Sequence, residues 1–147
     1  MKGSFGRGCL WTVILLVGPA GAWGQAPDQR AVTAAKKKLM AATGFLNRGM
    51  FRPALQEYRE FLKAYPNHPQ ATIARYGQAI CQYRLGQFDQ AAKTLELVLK
   101  DPKFQQRDEA LIVLGHCRLS TKDYQKAQAA LEELLKKYPT SKHAELA

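Results

Sequence analysis

A chain of 147 residues with 46% hydrophobic side chains has room for one folded domain and is too apolar for disorder to be the default. Its 22 Lys and Arg against 12 Asp and Glu leave a formal charge of +10, which governs solubility and encounter with anionic partners but not the fold. Three cysteines are too few for a disulfide scaffold.

Residues 1–25 read as a leader and not as structure. Lys2 and Arg7 make a positive start, Cys9 to Val17 is a nine-residue apolar run, and Gly18-Pro19 breaks it before a stretch of small residues. That order is the layout of a secretory signal peptide. Nine residues are about half of the roughly 20 that a helix needs to cross a bilayer, so an anchor is the weaker reading. Gly3, Gly6, Gly8, Gly18 and Gly21 also argue against a buried N-terminal helix. Two cut sites have small residues at the right spacing: Ala22/Gly24, cutting before Gln25, and Ala20/Ala22, cutting before Trp23. The first is preferred because it leaves Trp23 out of the mature chain. Cys9 lies inside the leader, so nothing there marks a lipid-modified cysteine. Removing 1–24 takes away Lys2 and Arg7 and no acid, leaving 20 basic against 12 acidic side chains, a charge of +8. The expected destination is outside the cytoplasm, periplasmic or secreted, which sets chromosomal DNA and cytosolic nucleotides aside as ligands.

Beyond the leader, helical patterns alternate with short turns. The first helix is expected at about 30–47 and carries the basic run Lys36-Lys37-Lys38. Gly49 turns the chain into a second helix, about 52–65, with Ala54, Leu55, Tyr58, Phe61 and Leu62 at helical spacing. Pro53 sits in its first turn, where the missing N–H is no loss, and Pro66 stops it. The same order returns at about 70–84, Gly86, 88–100 and Pro102, and again at about 107–120, Lys122, 124–138 and Pro139. Asp89 and Asp123 stand near the starts of their helices, where a carboxylate suits the dipole. Thr140 to Ala147 aligns with Asn67 to Ala74, so 141–147 begins another helix of the first type, enough for a short, frayed cap.

Three segments therefore align without gaps, and their aromatics Phe51, Phe88 and Tyr124 stand 37 and 36 residues apart. Small residues recur in the first helix of each pair (Ala42, Ala79, Gly115) and in the second (Ala54, Ala91, Ala127). A small residue where two helices cross lets their axes approach and fixes the hairpin angle. A small residue in helix A, an aromatic after the turn, an Ala in helix B and a closing Pro together resemble the tetratricopeptide repeat, over about 110 residues. The resemblance implies an all-α, helix-turn-helix solenoid within 25–147: repeats at about 30–66, 70–102 and 107–139, and the start of a fourth helix A at 141–147. The unit exceeds the usual 34 residues, and Phe61-Leu62-Lys63-Ala64-Tyr65-Pro66 and Leu134-Leu135-Lys136-Lys137-Tyr138-Pro139 are similar to phrases in bacterial envelope members. Those members include the outer-membrane assembly lipoprotein and the Tol–Pal-associated coordinator. The chain departs from the former in showing no lipid-attachment cysteine and from the latter in showing no N-terminal coiled coil.

Reactive chemistry is not evident. Cys81 and Cys117 occupy the same repeat position, where the first unit has Gly44, so the site calls for a small packed residue and the thiols should be free. Equivalent sites in stacked units lie beyond the roughly 7 Å Cα separation that a disulfide allows. His68, His116 and His143 stand without Cys-x-x-Cys, His-Glu-x-x-His or a carboxylate cluster, so no metal site is expected. Glu132 and Glu133 point about 100° apart on a helix and read as a solvated face. No Gly-rich phosphate loop or Ser-nucleophile elbow appears, and neither an enzyme nor a cofactor is expected. Lys36, Lys37 and Lys38 read as a solvated face, or as a candidate contact for an anionic envelope surface or an acidic partner. Without interleaved aromatics they do not form a nucleic-acid platform.

In the tetratricopeptide-repeat family the A helices line a concave groove. The resemblance places there Leu39, Met40, Thr43 and Leu46 from the first unit, Tyr76, Ile80, Tyr83 and Arg84 from the second, and Ile112, Val113, His116 and Leu119 from the third. Relatives that clamp a peptide's terminal carboxylate carry Lys, Asn and Arg at such places. Here the set is mostly apolar, so that clamp does not carry over. An apolar groove suits an amphipathic helix or an extended peptide of another protein, unless the same residues pack between neighbouring helices. The expected function is an exported interaction module for an envelope or secreted partner. The alternative is the N-terminal structural segment of a longer array, with its groove filled intramolecularly. Mass spectrometry of the exported protein should find an N-terminus at Gln25 or, less favoured, Trp23; Met1 retained on membrane-bound material would identify an anchor.

Overall fold

The computed structural model describes residues 29–146, and the expected leader at 1–24 lies outside them. Six α-helices follow one another: α1 (Gln29–Asn47), α2 (Phe51–Ala64), α3 (Ala71–Arg84), α4 (Phe88–Leu99), α5 (Arg107–Ser120) and α6 (Tyr124–Lys137). Each packs on the helix before and after it, and α3 also touches α1 and α5. The described residues thus form an all-α stack of three helical hairpins with α1, α3 and α5 side by side.

The three hairpin turns share one backbone solution. Gly49 and Gly86 adopt φ +74°, and Lys122 adopts φ +60° at the same place in the third unit. Each is followed by an N–H that reaches back five residues: Met50 to the Phe45 carbonyl, Gln87 to Gln82 and Asp123 to Arg118, all at 2.9 Å. This closure satisfies carbonyls that the end of a helix would otherwise leave unpaired. Glycine reaches the left-handed region freely, whereas lysine does so at a cost of about 1 kcal/mol.

Helix starts and stops follow local chemistry. Asp123 caps α6 by accepting from the Lys126 N–H, Asp89 lies in the first turn of α4, and Pro53 lies in the first turn of α2. Tyr65 and Tyr138 close α2 and α6 with N–H bonds of 2.8 Å to the Phe61 and Leu134 carbonyls, just ahead of Pro66 and Pro139. Where a fourth helix A was expected to begin, the structure has a single 3-10 turn, Ala144–Leu146. Its approach is pinned by Ser141, whose hydroxyl donates to the Asp108 carboxylate. So short a segment does not sustain the α-helical ladder.

Two apolar clusters fill the stack. One joins Leu39, Ala42, Ala54, Tyr58, Phe61, Ala74 and Cys81; the other joins Ala79, Ala91, Leu95, Val98, Phe104, Leu111, Cys117 and Leu134. The small residues at the repeat positions, Ala42, Ala54, Ala79, Ala91, Ala127 and Gly115, are all buried. Two glycines mark closer approaches. Between the first and second hairpins, a Cβ on Gly77 would sit 2.3 Å from Cζ of Tyr58, and within the third hairpin one on Gly115 would sit 2.5 Å from Cδ2 of Leu131. The Tyr58 hydroxyl also shares a 3.2 Å hydrogen bond with Thr43, so this ring ties together α1, α2 and α3.

Urea unfolding should separate these two kinds of glycine position. Lys122→Gly should gain roughly 0.5–1 kcal/mol by relieving the left-handed backbone. Gly77→Ala should lose about 1–3 kcal/mol despite the better helix propensity of alanine, because the buried Tyr58 ring must move. A stabilised Gly77→Ala variant would show that the ring has somewhere to go.

Candidate functional site

The A-helix face decides what a partner can reach, and exposure divides the residues expected there. Met40 is 64% exposed and Leu119 43%, and Arg84 is open to solvent. Thr43 is exposed, but its hydroxyl is spent on the Leu39 carbonyl and on Tyr58. Leu46, Tyr76, Ile80, Tyr83, Val113 and His116 are half-buried. Leu39 and Ile112 belong to the core, at 8% and 4% exposure, because the neighbouring A helix closes over that row. Tyr83 lies against Phe88, with ring centroids 5.9 Å apart.

Tyr76 packs its ring on Phe104 at 5.1 Å, and its buried hydroxyl finds no hydrogen bond of normal geometry. Burial, and then the nearby Glu109 carboxylate, push that phenol well above its usual range. Phe104 comes from the loop between α4 and α5 and is 5% exposed, so it fills the gap beside Tyr76 between the second and third hairpins. His68, twenty residues before Phe88 as Phe104 is before Tyr124, turns instead towards Phe61, 5.4 Å between centroids.

The joint between the first and second hairpins is therefore open. A cleft of about 580 Å³ runs along α1 past Lys36, Leu39, Met40 and Thr43, with His68, Gln70 and Ile73 on its far side. Ile73 also borders a smaller cleft of about 240 Å³, lined further by Asp101, Lys103, Gln105 and Gln106. Ile73 is 50% exposed and was not among the residues expected in the groove. Its signal was present: Ile73, Tyr76, Ile80 and Tyr83 lie at i, i+3, i+7 and i+10, one helical face. Asp101 accepts from the Thr72 hydroxyl at 2.7 Å and the Lys103 N–H at 2.9 Å. The Thr72 bond first, then the Lys103 N–H, hold its carboxyl below the usual range.

The basic run on α1 is not one patch. Lys38 is ion-paired with Glu57 and Glu60 of α2, which removes it as a contact for outside anions. The Glu60 bond raises the Lys38 ammonium above its usual range and lowers the Glu60 carboxyl in return. Lys36 enters the large cleft, and Lys37 borders a separate shallow one beside Ala34. Three consecutive helical residues diverge by about 100° each, so they serve three surfaces.

Two buried polar residues escaped the sequence reading, Gln82 at 3% and Arg118 at 8% exposure. They stand at the place that Phe45 holds in the first hairpin. Arg118 is ion-paired with Glu96 of α4 and, at 3.5 Å, with Asp123. Gln82 accepts from the Thr94 hydroxyl at 2.9 Å. Among the described residues no group of His, Cys, Asp and Glu is placed to hold a metal, and no helix is long and apolar enough to cross a membrane.

With this geometry in place, comparison with known proteins adds two findings. The tetratricopeptide-repeat family model matches residues 39–107 and, in a second register, 82–142. The chain is also 35% identical over 97 residues to Protein CTR9 homolog of Arabidopsis thaliana, a match that covers 63% of this chain and 8% of that protein.

Cys81 and Cys117 are free and buried, and burial pushes both thiols up to about 11. In the native protein at pH 8 a thiol reagent should label both slowly, and in denaturant at once. Because an exposed thiol ionises near 9, the unfolded chain loses its protons first. Stability should then fall as pH climbs from about 9 towards 11 and be indifferent to these groups below that window. Fast native labelling at pH 8 would contradict the packing of both helices.

Proposed function

This chain belongs to the tetratricopeptide-repeat family, and from that premise we propose that it is an interaction module whose partner enters the A-helix groove beside Met40 and Ile73. Proteins of this family bind other proteins, and a protein partner is the general expectation. The observation that carries the finer reading is the open joint between the first two hairpins. There the cleft of about 580 Å³ is flanked by apolar side chains that are 64% and 50% exposed. Large apolar side chains at the mouth of a preformed cleft are what an interface hot spot requires. On this reading the module works by binding a segment of its partner. Export belongs to the same proposal: the support is the leader pattern at 1–24, and it makes the partner an envelope or secreted protein.

A second reading has its own support. The matched relative is far longer than this chain, which spans 8% of it. The last hairpin leaves Leu119, Tyr124 and Leu135 at 43%, 64% and 45% exposure. Their repeat equivalents Tyr83, Phe88 and Leu99 pack against the second core cluster. On this reading the chain is a structural segment of a longer array, and another helix covers that face.

The test is a paired substitution. Met40→Ser with Ile73→Ser should weaken capture of the native partner at least tenfold, since central apolar anchors commonly contribute about 2 kcal/mol or more each. Circular dichroism should be unchanged, because both side chains are exposed. Lys37→Gln should have little effect. Retained capture by the double variant would overturn the groove.

A further inference from the structure

We infer that the groove takes an extended peptide in which a large apolar side chain is followed by an acidic one, the apolar group seated between Met40 and Ile73 and the carboxylate held between Lys36 and the start of α3. The inference rests on the proposed groove and adds the chemistry of what fills it.

Charge is the first argument. The two clefts that meet at Ile73 are lined by two ammonium groups, Lys36 and Lys103, and one carboxylate, Asp101. Asp101 is already occupied by Thr72 and the Lys103 N–H, and its lowered carboxyl stays ionised and engaged. Neither lysine is in an ion pair among the described residues. Between them lies the N-terminus of α3, whose N-cap residue Gln70 makes no side-chain cap and whose first turn holds no acid. The Gln70 and Ala71 N–H groups already donate to His68, and the positive end of the helix dipole there still favours an incoming carboxylate. Asp101 apart, acid on the ligand meets complementary charge at Lys36, at the start of α3 and at Lys103.

The second argument concerns the ligand's backbone. Gln70, Gln105 and Gln106 line the path on either side of Ile73. Amide side chains donate and accept at once, which matches the alternating N–H and C=O of an extended strand. A helix has spent those groups internally and presents only side chains. The clefts, about 580 Å³ and 240 Å³, take a few side chains each and are separated by Ile73, the arrangement that an extended chain crossing a ridge requires.

The experiment is a positional-scanning library of eight-residue peptides probed with the purified full chain, followed by fluorescence-anisotropy titration of the best binder. The expected result is enrichment of Leu, Ile, Met or Phe with Asp or Glu one or two residues later, and affinity that falls with added salt. Ile73→Ser should flatten the apolar preference and weaken the best binder about tenfold. Lys36→Glu should weaken the acidic peptide several-fold and strengthen its Asp→Lys counterpart, a reversal that misfolding cannot produce. Enrichment of a basic motif, or of peptides that become helical on binding, overturns this inference. If such binding is still lost in Ile73→Ser, the groove itself stands. Binding that survives both substitutions overturns the groove as well, as does a library with no enriched peptide. A chain that dimerises in solution and becomes monomeric in Ile73→Ser gives the groove to a second copy and overturns the peptide.

Discussion

Tyr58 and Gly77 set the geometry on which the other features rest. A glycine that faces a buried ring, with no room for one methyl group, brings α3 down onto α2 at close range. Small buried residues, Ala42 with Ala54 and Ala79 with Ala91, hold each hairpin closed in the same way. Helices that cross at short range over small residues have few alternative angles, because ridges on one must drop into grooves on the other. With the angles fixed, α1, α3 and α5 come to lie in a row, and their free faces become one surface. The groove is therefore a by-product of backbone proximity, and its position is set by residues buried beneath it.

Polar residues then distinguish one joint from the next. Between the first and second hairpins, Arg59 donates to Gln90 at 3.5 Å, and within the second hairpin Gln82 is engaged by Thr94. The second joint pairs Glu96 with the buried Arg118. Arg59 and Glu96 hold the same repeat position with opposite charge, as Gln82 and Arg118 hold the same position with different donors. A hairpin shifted by one unit would bring Arg59 towards Arg118. Buried ion pairs add little net stability, because desolvation consumes most of the attraction. Their effect is on wrong registers, where a charge would be buried unpaired. A repeat protein needs this, since its apolar surfaces are by construction interchangeable.

Much of the fold was legible because repetition multiplies weak signals. A single Gly-x-aromatic turn or closing Pro decides little, but three in register specify helix, turn and stop together, and the third unit's Lys122 is recognisable only beside Gly49 and Gly86. The A-helix face was legible as a period, which names the side of a helix but not what covers it. Leu39 and Ile112 share that side with Met40 and are buried because another helix lies over them. Lys38 read as part of a basic run until α2 placed Glu57 and Glu60 beside it. Ile73 fell outside a count that stopped at Tyr76, one turn short of the end of its helix. Each of these depends on a neighbour distant in sequence, which periodicity does not carry.

Why a large cleft opens between α1 and α3 while the matching gap beside Tyr76 is filled comes down to one repeat position in the loop before helix A. In the second joint that residue is Phe104, which drops against Tyr76 and is 5% exposed. In the first it is His68, whose ring is drawn back onto Phe61 and whose Nδ1 accepts from the Gln70 N–H at 3.1 Å. An imidazole with a polar edge is held by that bond and cannot fill an apolar gap as a phenyl ring does. The space between Leu39 and Ile73 stays empty as a consequence, and Ile73 stays exposed at its edge. Identical helical architecture thus yields a filled gap beside Tyr76 and an open cleft beside Leu39, and the difference is a choice between two aromatic rings at equivalent places.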